Sequence, residues 1–271
     1  MSNVVKTYDN FVIDSIDRVT GFRIATKENL FVLEDVKDGN LENAGEKVFG
    51  TGKAGVRISA LSRNKSSKFS VNNGFMVGGL IAVQTGTEAE ISDSETILMP
   101  QFEYLELKTA SPTTIETTFA ASGLLGKEIP WIYKSNKDGS TGEKFTQAAA
   151  ASATEFAYDP ATKLITLPTG VFAEGDIVIA SYEYKSKGRK YVNRGDTFAE
   201  DCMIVMDILL RDICDNASVT HSKIVMPKAA VELNWGIQFG SEPAVHAFSC
   251  EALQDRCSID RELWYWVIPE A

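Results

Sequence analysis

The chain has 271 residues, 44% hydrophobic and 24% charged, proportions of a globular protein that exclude a fibrous or disordered chain. No apolar run approaches the roughly 20 residues of a membrane-spanning helix, and the first residues lack the layout of a signal peptide. The 27 basic and 37 acidic side chains give a net charge of −10, which disfavours sequence-reading of DNA or RNA because acidic surface repels phosphate. We therefore expect a reduced protein of the cytoplasm without a membrane segment.

The first elements in chain order are a turn, a helix and a strand. Glycine within Lys37–Asn40 predicts a turn. Gly74–Gln84 predicts a short helix with a small-residue face, and Gln101–Lys108 predicts a strand because it is rich in strand-forming residues.

The middle of the chain continues the β pattern. Residues 156–185 predict strand, turn, strand, loop and strand, and Val178, Ala180, Tyr182 and Tyr184 share one face of the last strand. Glycines predict further turns at Lys137–Ser140 and Ala173–Asp176.

Two strands and a helix are predicted after residue 200. Cys202–Leu210 is almost continuously apolar, which suits a strand covered on both faces. Val231–Phe239 has the clearest alternation of the chain, with apolar residues at all five odd positions. Ala244–Gln254 predicts a second short helix.

The end of the chain is aromatic. Leu263–Ile268 predicts a terminal strand that either covers the core or presents an adhesive edge to a neighbouring subunit. In the second case the contact residues are Trp264, Tyr265 and Trp266, because aromatic side chains are enriched at the centres of interfaces.

Charge divides the chain unevenly. Residues 1–110 carry 12 basic and 15 acidic groups, residues 111–190 carry 9 of each, and residues 191–271 carry 6 and 13. We interpret the neutral segment 111–190 as a β-rich subdomain inserted into a domain built from 1–110 and 191–271. The alternative is one continuous β domain with a long decorated loop.

No catalytic or metal-binding residue is predicted. The only histidines are His221 and His246. His246 precedes Cys250 by four residues, a spacing that would suit two metal ligands on a helix, but no third ligand is indicated. Gly50–Gly55 lacks the spacing of a phosphate-binding loop. We expect no cofactor, and histidines that are packed or at an interface.

Two acidic clusters have two interpretations each. The simpler is a solvated loop, and the segment Asp35–Glu42 does not match the calcium-binding EF-hand pattern. The more specific interpretation is an acidic surface that faces a moving polyanion without binding it. The residues concerned are, as first choice, Glu88, Glu90, Asp93 and Glu95, and, as second, Asp35, Asp38 and Glu42.

Three patches of the sequence resemble the tail tube (major tail) proteins of tailed bacteriophages. The first is a strand, turn and return that reaches a His-Ala-Phe-x-x-Glu-Ala-Leu phrase; the others are a glycine-led segment and part of the predicted insert. The patches are Ile224–Leu253, Gly78–Thr87 and Phe156–Tyr184.

The resemblance implies a mainly β fold, a β-sandwich or barrel with one or two short flanking helices and an inserted β subdomain. It also implies a structural virion protein, not an enzyme, made in the host bacterial cytoplasm and located in the tail. Copies of the chain would form stacked, hexameric rings through which DNA passes without sequence-specific binding. Tape-measure, sheath and tail terminator proteins would be its other partners, and the insert would either decorate the outside of the tube or contact a sheath or the next ring.

Two alternatives to a tube remain at this point. One is another virion component, such as a connector, baseplate or decoration protein. The other is a β-rich carbohydrate-binding module, in which exposed aromatic side chains such as Trp131 and Tyr133 would stack on sugar rings.

Overall fold

A computed structural model describes residues 11–109, 113–212, 219–237, 245–254 and 261–269. The predicted mainly β fold is confirmed. The strands, in chain order, are β1 (Phe11–Arg23), β2 (Asn29–Leu33), β3 (Val36–Thr51), β4 (Arg57–Asn73), β5 (Glu90–Glu106), β6 (Thr114–Glu116), β7 (Trp131–Ser135), β8 (Thr141–Gln147), β9 (Glu155–Asp159), β10 (Leu164–Thr166), β11 (Ile177–Lys190), β12 (Cys202–Asp212), β13 (Val219–Val231), β14 (His246–Ala252) and β15 (Tyr265–Val267). The described part has one α-helix, α1 (Gly78–Thr85), and no helix in it has the length and apolar character to cross a membrane.

The chain forms two compact units, one of residues 1–89 with 191–271 and one of residues 90–190. The domains predicted from charge divided the chain after residue 110, whereas these units divide it after Ala89. The reason is that β5 pairs with β11 along almost its whole length, from Glu90↔Lys190 to Glu106↔Ile177. Residues 90–110 therefore belong with the second unit.

The first unit contains a sheet in the order β2-β1-β12-β13-β14-β4-β3, with β15 also paired to β13. Its described neighbours are all antiparallel. The even-numbered residues of β12, from Cys202 to Leu210, are buried in its core, but Met203, Val205 and Leu209 on the other face are only half-buried, so the strand is fully covered on one face and not on both as predicted. Phe31 and Phe69 both meet the ring of Phe248 edge to face, at 5.3 and 6.3 Å between centroids.

Helix α1 covers part of this core. Leu80 and Val83 point into it, and the helix ends at Gly86, whose φ of 64° is the left-handed conformation that glycine adopts without strain. A Cβ atom at Gly79 would collide with the carbonyl oxygen of Leu30 on β2, so glycine is required for this close approach. The predicted helix is confirmed, starting four residues later than Gly74.

The second unit contains a sheet in the order β5-β11-β7-β8-β9-β10-β6. Only β8 and β9 pair in parallel among its described strands. Predicted alternation in β11 is confirmed, since Val178, Ala180 and Tyr182 are buried. The predicted turns at 137–140 and 173–176 are confirmed, with Gly139 and Gly175 at φ 83° and 82°.

Two predicted elements are wrong. Strand β13 ends at Val231, and Leu233 is 54% exposed, because the chain leaves the ladder after Glu232 donates its N–H to Ser249 O. Phe239 lies outside the described residues. The helix predicted over Ala244–Gln254 is strand β14 from His246, since it pairs with β13 and β4 on its two sides; Ala244 also lies outside the described residues.

The turn predicted at Lys37–Asn40 is also wrong. The segment lies inside β3, where a register shift between Lys37 and Asn40 leaves two residues without partners on β4. Asp38 has a φ of 54° there. The turn-forming residues therefore make a β-bulge, which needs the same backbone freedom as a turn.

Candidate assembly surface

The long hairpin of β3 and β4 extends beyond the sheet. Its inner part is anchored, because β4 pairs with β14 from Asn73↔His246 to Lys68↔Glu251. Beyond Lys68 the two strands pair only with each other within the described residues. At about 3.4 Å per residue, the stretch from Asn43 to Thr51 is about 27 Å long. We call residues 43–66 the hairpin arm.

The hairpin arm exposes large apolar side chains on both faces. Val48 lies opposite Leu61 across the ladder, and Phe49, the next residue, points to the other face. The exposed fractions reach 72% at Ile58 and 63% at Val56 near the tip. An isolated two-stranded hairpin is marginally stable in water. These side chains are therefore left uncovered by the described residues of this chain.

Sequence analysis did not select these residues, although a pattern was present. Val56, Ile58 and Ala60 alternate with polar residues, which is typical of a strand with one apolar face. What alternation does not reveal is that this apolar face is left uncovered. That depends on how far the hairpin extends past β14.

The second-choice acidic residues lie at the base of this hairpin. Asp35 precedes β3, and its carboxylate is 3.3 Å from Lys37 Nζ. Asp38 and Glu42 are exposed on β3. The simpler interpretation, a solvated loop, is wrong for Glu42, which pairs with Lys68 on β4, whereas Asp38 lies in the β-bulge of the same strand.

The first-choice acidic residues are divided between the units. Glu88 is exposed in the loop after α1, whereas Glu90, Asp93 and Glu95 are exposed on β5 of the second unit. Glu90 is 3.8 Å from Lys190 Nζ. Residues 93–96 bulge out of the ladder, organised by Ser92 Oγ, to which the N–H groups of residues 94 and 96 donate.

The C-terminal aromatic residues contact this chain's own sheet. Strand β15 pairs with β13, and both tryptophans pack against the core. Trp266 Nε1 donates to Ser222 Oγ at 3.0 Å, and Trp264 Nε1 donates to Asn43 Oδ1 at 2.9 Å, at the base of the hairpin arm. Tyr265 is 39% exposed. Of the three, Tyr265 presents the most surface to a neighbour.

The two histidines lie in opposite environments. His221 is exposed on β13, whereas His246 is fully buried. Nε2 of His246 donates to Gln84 Oε1 at 2.8 Å, and Nδ1 accepts from the Val77 N–H at 3.5 Å, so the imidazole joins β14 to both ends of α1. Burial lowers the pKa of His246, which keeps it neutral. The described residues contain no cluster of three metal-ligating side chains.

A buried carboxylate stabilises the middle of the same sheet. Asp207 on β12 lies between Arg18 on β1 and Lys223 on β13. Arg18 Nη2 is 2.8 Å from its Oδ2, and Lys223 Nζ donates to its Oδ1. Burial acts to raise the pKa of Asp207, but the hydrogen bonds from these two cations hold it below its usual range. The three central strands are thereby fixed in register.

A comparison with known protein families identifies the family to which the sequence belongs. A sequence model of the YomU/Tube protein family matches residues 11–261, which is most of the chain and includes both units. No curated protein matched the sequence. The chain belongs to the YomU/Tube protein family, a family of phage tail tube proteins, and is thus a structural component of a virion tail.

Proposed function

We propose that the chain assembles with copies of itself into stacked rings, six subunits in each, that form a tube for DNA during ejection. The hairpin arm carries this proposal. Its exposed apolar side chains lie on both faces, so one arm can contact two surfaces of neighbouring subunits. A head-to-tail interface of this kind closes into a ring when its rotation closes.

The sheet of the first unit offers a second contact. Strands β2 and β3 are its two edge strands among those described. An edge strand presents unpaired N–H and C=O groups, which pair readily with another chain. Joining β2 of one subunit to β3 of the next would continue the sheet around the ring and remove both edges.

We propose that exposed carboxylates line the path of the DNA. Fixed negative charge repels the phosphate backbone, over a Debye length of about 8 Å at physiological salt. Asp38 and Glu42 are exposed on one strand of the first unit and have no ion-pair partner in the described ranges, whereas the first-choice residues are divided between the units and one of them, Glu90, is close to Lys190. The pair in the first unit is therefore the better candidate.

Neutralisation tests the acidic path. In phage carrying D38N and E42Q, we expect normal tails and slower DNA ejection, because the DNA would adhere to the wall. The matched control is E143Q with E174Q, which removes two exposed charges of the second unit that belong to neither acidic cluster. An ejection rate unchanged by the first pair contradicts the assignment of these residues.

We further propose that the aromatic end of the chain supports the ring contact. Trp264 donates a hydrogen bond to Asn43 at the base of the hairpin arm, so a chain without Trp264 would lose this anchor of the arm. Loss of Tyr265 would also leave Val225 on β13 without its partner on β15. Truncation after Leu263 should block ring formation. A truncated chain that still assembles normally would make this end dispensable. Tape-measure, sheath and tail terminator proteins are the other proposed partners.

Negative-stain electron microscopy of the concentrated protein tests the main proposal. Hollow filaments of regularly stacked rings are the expected result, and their end views give the subunit number. Isolated rings that do not stack would indicate a connector. Monomers that stay dispersed when purified tail-initiation complexes are added would contradict self-assembly.

A further inference from the structure

One face of the sheet in the second unit points away from its hydrophobic core. Val178 and Ala180 on β11 point into that core, so Ile179 between them points to the opposite face. The register places Tyr104 on β5 and Tyr133 on β7 on either side of Ile179. Residues directly opposite each other in a ladder share a face, so this row lies on the side away from the core.

Two more aromatic side chains lie on the same face. Phe102 is two residues before Tyr104, and Trp131 is two residues before Tyr133, so each points to the same side as its neighbour. Phe102 is 55% exposed and Tyr104 59% exposed, and Trp131 is exposed as well. Ile179, which the two tyrosines flank, is buried. We call these four aromatic residues, Phe102, Tyr104, Trp131 and Tyr133, the aromatic face.

Contacts within the unit hold these rings in place. Lys144 Nζ on β8 lies 4.3 Å from the centroid of the Trp131 ring, a cation–π contact. The rings of Phe102 and Tyr104 meet edge to face, with 5.1 Å between their centroids. All four residues belong to paired strands, which are more rigid than loops. A surface ordered in this way loses little conformational entropy when it binds a ligand.

The rings are interspersed with hydroxyl groups and balanced charges. Exposed hydroxyls lie on the same face at Ser181 on β11 and Thr146 on β8, and both tyrosines carry one of their own. The paired rows end in one cation, Lys144, and one carboxylate, Glu155 on β9. The aromatic face is therefore suited to a ligand without net charge, unlike DNA, which carries one negative charge per about 1.7 Å of its axis.

The aromatic face is small for a protein partner. From β5 to β8 it spans three strand spacings, about 14 Å, and from Phe102 to Tyr104 about 7 Å. With a margin of about 5 Å for side chains on every side, its area is about 400 Å². Each partner in a stable protein interface buries about 800 Å², twice this area. A narrow, extended ligand therefore fits better than a second copy of the chain.

We infer that the aromatic face binds a neutral polysaccharide whose chain is flat and extended. Sugar rings present C–H groups on their faces, which would stack on the aromatic rings, and hydroxyls at their rims, which would pair with Ser181 and Thr146. This inference does not rest on ring assembly. It includes Trp131 and Tyr133, the pair considered for sugar binding from the sequence, and adds two residues of β5 that the sheet places on the same face.

Isothermal titration calorimetry with the full-length chain tests the inference. The probes are cellohexaose and chitohexaose, which are neutral and extended, maltohexaose, which is neutral but curled, and oligogalacturonate, which is acidic. We expect at least one of the two extended neutral sugars to bind about tenfold or more tightly than maltohexaose and oligogalacturonate. No binding of either extended sugar at millimolar concentration overturns the inference. So does equal or tighter binding of maltohexaose or oligogalacturonate.

Variants locate the binding. F102T with W131T keeps residues that favour strands and should weaken the extended sugar about tenfold or more, with folding checked by circular dichroism. If the double variant does not fold, W131T alone gives the same test. The matched control is F75T with F198T, which removes two exposed phenylalanines of the first unit and should not change the affinity.

Two outcomes of the variant experiment count against the aromatic face. Unchanged sugar affinity in F102T with W131T, or an equal loss in the control, overturns the assignment. Sedimentation velocity tests the competing occupant, a second copy of the chain. Self-association that F102T with W131T abolishes, in a chain that binds neither extended sugar, assigns the face to a contact between copies and also overturns the inference.

Discussion

The hairpin arm gives the most direct test of assembly. Replacing Ile58 and Leu61 by threonine (I58T, L61T) removes apolar surface while keeping a residue that favours strands. Their exposed fractions are 72% and 56%. Since burying a whole Ile or Leu side chain contributes about 1.5–3 kcal/mol, burying these exposed parts contributes about 2–4 kcal/mol per arm. The lower value corresponds to about a 30-fold weaker contact.

Sedimentation velocity measures this loss. The concentration at which half the chains are assembled should rise about 30-fold or more, while the monomer's thermal stability stays unchanged, because both side chains are exposed before assembly. The matched control is L124T with L125T, which changes leucines that are 79% and 96% exposed in the second unit. Wild-type assembly by the arm variant, or an equal loss in the control, would refute the reasoning.

Three further outcomes concern the stability of the first unit. The pKa of Asp207 is lower in the folded than in the unfolded chain. The contribution of its carboxylate to the free energy of unfolding is therefore present above the unfolded pKa and is lost as the pH falls through the folded pKa. D207N should lower the urea midpoint at pH 7 but much less at pH 3. His246 also has a lowered pKa, so the unfolded chain gains a proton first as pH falls below about 6.5, and the folded state loses stability there. Melting temperatures at pH 7.5 and 5 should differ less in H246Q than in the wild type. W266F removes the indole N–H that donates to Ser222, and should lower the free energy of unfolding by about 1 kcal/mol in a urea titration.

The strands predicted best from sequence are those whose pattern matches their final burial. In β11, Val178, Ala180 and Tyr182 share one face and are buried as expected, and Ile179 on the opposite face is buried as well. The turns at Gly139 and Gly175 follow from local backbone preference alone. In these places, sequence neighbours contain most of the information that decides the structure.

Other elements depend on partners distant in sequence. The alternation over Val231–Phe239 is stronger than that of many strands, but Leu233 finds no partner strand in the described residues and stays exposed. His246–Ala252 has an apolar content that suits either a helix or a strand, and pairing with β4, far earlier in the chain, selects the strand. Local patterns do not contain these pairings.

The candidate sites were only partly predictable. The acidic side chains were expected to be exposed, and all of them are except the half-buried Asp35, but their division between two units follows from the pairing of β5 with β11. The hairpin arm was not predicted, because it depends on which surface the final fold leaves uncovered, which a one-dimensional pattern does not specify.

The pairing of Glu90 with Lys190 has a consequence for engineering. The first and last residues of the second unit are neighbours on one antiparallel ladder, so the unit begins and ends at the same place. A module with adjacent termini is readily removed or exchanged, because a short linker can close the gap. Residues 90–190 thus mark a position where a foreign domain with close termini, such as an antigen or a reporter enzyme, can be grafted at one copy per subunit.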